Sequence, residues 1–195
     1  MCFSATASFV SSAVLVTAGT VTLARSKKTS FKYLGLVPIL FALQQFSEGF
    51  VWLALENEQF IRHLNIASFG FVFFAWVIWP FYIPFSMYKL EENARRKQTM
   101  RVFLIIGILL SALLAYALIF IGVNPQISGH SISYKFPVNK SVVNMMSTIY
   151  LFCTIVPELF STKKRVWILG LSTLILCVSA RTVFSHALLS VWCMF

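Results

Sequence analysis

No aspartate occurs anywhere in this chain, and six glutamates are its whole acidic complement against 16 lysines and arginines, a net charge of +10. Charged residues make up only 11% of the sequence, while 58% is hydrophobic and 20 residues are phenylalanine, a balance that excludes a water-soluble monomer. There is no phosphate-cradling glycine loop, no paired-glycine nucleotide fingerprint, no HExxH and no GxSxG, which removes nucleotide-driven pumping and the familiar hydrolase chemistries. An arginine ladder of the voltage-sensing kind is missing too. Nor is there a linker rich in Pro, Gly or Ser, so residues 1–195 read as one membrane domain.

What is present is a series of apolar runs, each about 20 residues long and without the alternation of an outer-membrane barrel strand. The expected fold is therefore all-α, an integral membrane helical bundle. Its spans are placed near Ser8–Ala24, Tyr33–Leu55, Ile66–Tyr88, Val102–Val123, Val142–Phe160 and Val166 to about His186. The stretch Val166–Phe195 would be about 45 Å long as one straight helix, against about 30 Å of hydrocarbon. That reads as six spans, with a seventh only if the carboxyl-terminal stretch folds back. Trp79-Pro80 and Pro84 interrupt the third span and read as a kink.

Orientation follows from the cations. Arg25, Lys27, Lys28 and Lys32 follow span one, Lys89, Arg95, Arg96, Lys97 and Arg101 follow span three, and Lys163, Lys164 and Arg165 follow span five. These loops are expected on the cytoplasmic side, with both termini outside. The same distribution argues against nucleic acid as a partner, because the cations mark insertion and anionic headgroups and form no aromatic-interleaved patch. The bilayer is the expected partner, together with a small molecule or ion; nothing in the sequence sets the oligomeric state.

Glu48 is the most informative residue. A carboxylate in mid-span costs about 2.5–3.5 kcal/mol on insertion scales, so it needs a partner or a purpose. Gln44, Glu48 and Trp52 recur every four residues and share one helical stripe, with Gln45 and Ser47 beside them. Gln44, Gln45, Glu48, Trp52 and Arg181 are the candidate ligand-binding residues, with Glu48 the candidate general base. The structural alternative is that Glu48 pairs with Arg181 to fix helix packing. Cys2, His186 and Cys193 are the candidate metal ligands, since thiolate and imidazole suit a zinc-like ion. His186 and Cys193 are about 10.5 Å apart along a straight helix, so sharing an ion would need the helix to break between them. Cys2 and Cys193 could equally form a disulfide. Cys153 and Cys177, in mid-span, need no role beyond packing.

Three segments carry a resemblance: the opening Met1-Cys2-Phe3-Ser4-Ala5-Thr6-Ala7-Ser8-Phe9, Gln44-Gln45-Phe46-Ser47-Glu48-Gly49-Phe50-Val51-Trp52, and Ser190-Val191-Trp192-Cys193. Together they resemble a family of uncharacterised bacterial multi-pass membrane proteins. The resemblance implies a membrane fold, residence in a bacterial inner membrane, and no known reaction. A second comparison is with the seven-helix metal hydrolases resembling alkaline ceramidase, whose zinc site uses three histidines with serine and aspartate. Only three histidines and no aspartate are available here, so a direct match fails. A distant variant would use Cys2, His186 and Cys193 to hold zinc and Glu48 as base. A small-solute transporter gated at the broken third span is a further alternative.

Overall fold

The computed structural model describes residues 4–26, 28–128 and 131–183. Among these residues eight α-helices form one bundle. Helix α1 is Ala5–Arg25, α2 Thr29–Gly35 and α3 Val37–Glu56. The third crossing is composite: a 3-10 turn Glu58–His63, α4 Leu64–Val72, a π-helical turn Phe73–Ile78, and α5 Trp79–Leu90. Helix α6 is Ala94–Phe120, α7 Lys140–Leu159 and α8 Lys164–Val183. The all-α bundle expected from the apolar runs is what forms. Five crossings are long and apolar enough for a membrane, and α8 is the helix of the sixth expected span, whose end at His186 lies outside the described residues.

Local chemistry sets the boundaries. The Ser4 side chain caps α1 by accepting from Ala7 N–H at 3.2 Å, and Asn93 caps α6 by accepting from Arg95 and Arg96. Tyr33–Leu55, expected as one run, lies within the single apolar span Thr29–Glu56, which Leu36 divides locally into α2 and α3 because Pro38 lacks the N–H to continue the ladder and suits a first turn. The Asn57 side chain accepts from Gln59 N–H as α3 gives way to the 3-10 turn.

The kink expected at Trp79-Pro80 is more specific than a bend. In a π register the amide opposite Ala75 O is residue 80, a proline with no hydrogen to give. Tyr150 of α7 supplies the missing donor, its hydroxyl bonding Ala75 O at 2.7 Å. Gly107 of α6 lies directly against the Pro80 carbonyl, where any Cβ would collide with backbone.

One element was not anticipated. The loop expected between spans four and five holds an antiparallel hairpin, β1 Asn124–Ser128 and β2 Ser131–Lys135, entered through Gly122 at φ 75°. It docks on the bundle end: Ile132 is fully buried, Tyr134 stacks on Phe71 at 4.7 Å, and Phe136 stacks on Trp76 at 4.1 Å.

The bundle is inside out by the standards of a soluble protein. On α3 the phenylalanines Phe46 and Phe50 point outward, 48% and 42% exposed, while Gln44 and Glu48 are fully buried. Helix α6 likewise turns Ile105, Leu109 and Leu113 outward.

Candidate functional site

The α3 stripe is the centre of the site. Gln44, Glu48 and Trp52 are buried, as their four-residue spacing predicted, and Gln45 is buried beside them. Gln44 Oε1 accepts from Trp79 Nε1 at 2.8 Å, and Trp79 is held in place by stacking on Phe41 with ring centroids 4.0 Å apart. Helix α1 runs antiparallel to α3 in a register set by small residues. Gly19 leaves room for Ile39, Ser12 Oγ donates to Ala42 O at 2.8 Å, and Gly49 accommodates the Phe9 ring. Helix α4 also runs antiparallel to α3, with Gly70 beside Ser47. Those registers place Ser8 of α1 and Ser68 of α4 at the height of Glu48, and both are fully buried.

This layer is rich in polar atoms that the described protein leaves unsatisfied. Ser8 Oγ, Ser68 Oγ, Gln44 Nε2 and Trp52 Nε1 are buried and have no hydrogen-bond partner among the described residues. Gln45 and Glu48 each retain an interaction beyond those named above. Two hydroxyls, from α1 and α4, thus share the height of the Glu48 carboxyl, and on α3 the Gln44 amide lies one turn before it and the Trp52 indole one turn after it. Ser8, Ser68 and Trp79 were not anticipated, because an isolated serine in a span reads as packing and a tryptophan as an anchor. The repeat of Ser8 and Ser12 one turn apart on α1 was the available signal.

The remaining expected site residues fall elsewhere. Arg181 belongs to the last turn of α8, and its side chain lies outside what is described. Cys2, His186 and Cys193, the candidate zinc ligands, also lie outside the described residues, as does any Cys2–Cys193 bond. Among the described residues no three His, Cys, Asp or Glu side chains assemble as a metal site. His63 is exposed on the 3-10 turn. Cys153 and Cys177 are both buried, in keeping with a packing role.

Two further features were not legible from motifs. A cleft of about 290 Å³ opens between the π-helical turn, α6 and α7, lined by Ala75, Trp76, Leu114, Ala117, Met146 and Tyr150 among others, and it shares no residue with the α3 stripe. Beyond the ends of α5 and α7, Glu91 ties two loops together. Its carboxylate accepts from Asn93 N–H at 3.0 Å, Glu92 N–H at 3.1 Å, and both the N–H and hydroxyl of Thr162 at 3.1 and 3.0 Å. Burial would raise the Glu91 carboxyl, but those hydrogen bonds outweigh it and hold the group below the ordinary carboxylate range. Lys163 pairs with Glu92 at 3.1 Å alongside.

Long helices with apolar exteriors and a polar interior layer define the class: a multi-span helical bundle with the make-up of a membrane protein. The chain belongs to a family of unknown function, DUF6629, whose model matches residues 1–195. No curated protein and no solved structure matches the chain significantly.

Proposed function

We propose that the chain is a single integral membrane domain of a bacterial inner membrane, with both termini outside, that binds a small polar ligand or ion in the layer around Glu48. The observation that carries this reading is the set of buried, unpartnered polar atoms of Ser8 and Ser68 at the height of a fully buried carboxyl, with those of Gln44 and Trp52 one helical turn to either side of it. A buried donor left unmade costs about 1–3 kcal/mol, so several in one layer favour an occupant that satisfies them together. The mixture of donors with a carboxyl suits an ion drawn to Glu48, or a small ligand bearing both acceptor and cationic groups. Gln44, Gln45, Glu48 and Trp52 are the binding residues on this reading, with Arg181 the α8 candidate. The bilayer is the surrounding partner, and nucleic acid is not one.

The metal-hydrolase and transporter alternatives draw on no comparable observation. The test uses protein in mild detergent, melted in sodium chloride and in choline chloride at equal ionic strength, and again with a panel of divalent cations and small zwitterions. Wild type is expected to gain stability with one of these probes, and Glu48→Gln to fold and lose that response. A well-folded wild type indifferent to every probe would leave Glu48 a packing residue.

A further inference from the structure

Glu158 occupies the last turn of α7, immediately after Pro157, and is 4% exposed. Gly170 sets how closely α8 approaches it: a Cβ there would lie 2.7 Å from Glu158 Cβ, so a side chain at 170 would hold the helices apart. Glu158 Oε2 has no hydrogen-bond partner, and no ion pair to this residue occurs among the described residues. The polar side chain within its reach across the interface is Thr173 of α8.

Burial without an ion pair favours the neutral acid, and the Thr173 hydroxyl is arranged to accept from it. Its single hydrogen is given to Leu169 O at 2.9 Å, so toward Glu158 that oxygen can only accept. An ionised carboxylate is acceptor-only as well, and two acceptors facing each other repel; a carboxylic acid supplies the O–H the arrangement requires. The helix end points the same way, since the final carbonyls of α7 disfavour a negative charge there.

The described charged groups of the neighbouring elements are engaged elsewhere or exposed. Arg96 of α6 donates to Phe160 O at 2.9 Å, Lys163 pairs with Glu92, Glu91 is bound to Thr162, Lys89 of α5 sits over the Phe85 ring, and Lys164, Arg165 and Arg95 are exposed. Among the described side chains, the remaining buried titratable groups on α7 and α8 are the thiols of Cys153 and Cys177.

We propose that Glu158 is a proton-binding site, a neutral carboxylic acid at the α7–α8 interface that donates to Thr173. Among the described residues helix α8 makes its extended contact with α7. Loss of that proton would leave an unpaired charge in an apolar seam and push α8 away, so the proton is the ligand that holds the last described helix in place.

Infrared spectroscopy of the full chain in detergent at neutral pH tests this on wild type, Glu158→Gln and Thr173→Val. A carboxylic-acid carbonyl band is expected in wild type, shifted in heavy water and lost in Glu158→Gln. Thr173→Val retains the carboxyl but removes its acceptor, so the band should persist at higher frequency. A wild-type spectrum without the acid band, or a band unchanged in both variants, would overturn the proposal; the Thr173 variant keeps the test decisive should Glu158→Gln fail to fold.

Discussion

Glu91 shows how much a single acidic side chain does in a chain so short of them. Its two carboxylate oxygens gather four donors from two loops and so fix the α5–α6 turn against the α7–α8 turn. Hydrogen bonds to a charged group contribute about 1.5–3 kcal/mol when one partner is removed, and Glu91→Ala should lower the unfolding free energy by about that amount in denaturant titrations in mixed micelles. The pH dependence has a definite sign. Because the folded carboxyl sits below the ordinary carboxylate range, the unfolded chain takes up the proton first as pH falls. The contribution is complete above that range and is lost as pH drops through the lowered folded value. Glu91→Gln should therefore show a flatter loss of stability in acid than wild type; identical acid profiles would mean the carboxylate is not the group that titrates. Sequence spacing could not reveal this role, since its donors Thr162 and Asn93 come from loops that only the fold brings together.

At the scale of elements, the composite third crossing depends on two contacts made by other helices. Tyr150→Phe removes the donor to Ala75 O and should cost about 1 kcal/mol, while Gly107→Ala forces a methyl against the Pro80 backbone and should cost more, about 1–3 kcal/mol. Thermal unfolding of both variants checks the order, and equal stability for Gly107→Ala would contradict the close α5–α6 approach. The five crossings were legible because long uninterrupted apolar runs have few alternatives. Trp79-Pro80 located the break, but its π-helical form depends on the tyrosine of α7, which no local pattern discloses. The hairpin escaped because β1 is short, contains Pro125 and carries no apolar alternation, and β2 is buried by docking Ile132 and Tyr134 on the bundle. The α3 stripe was legible from its four-residue spacing; Ser8 and Ser68 were not, because their significance lies in a depth shared across helices.

For the whole molecule, the antiparallel course of the helices brings the junctions after Arg25, Leu90 and Leu159 to one end, and these are the loops richest in lysine and arginine. The orientation we propose puts that end in the cytoplasm. Cysteines introduced at Gln59 and at Lys97, against the background of the parent chain, should separate under a membrane-impermeant maleimide. Gln59→Cys is expected to react in intact spheroplasts and Lys97→Cys only after permeabilisation; the reverse pattern would invert the molecule. The polar layer then lies beyond mid-bilayer toward the outer face, enclosed by α1, α3 and α4. Native mass spectrometry of wild type and Glu48→Gln, released gently from detergent, tests the occupied layer most directly. A defined non-lipid mass or ion is expected on wild type and absent from a folded Glu48→Gln, whereas a bare wild-type chain indistinguishable from the variant would overturn the occupied layer.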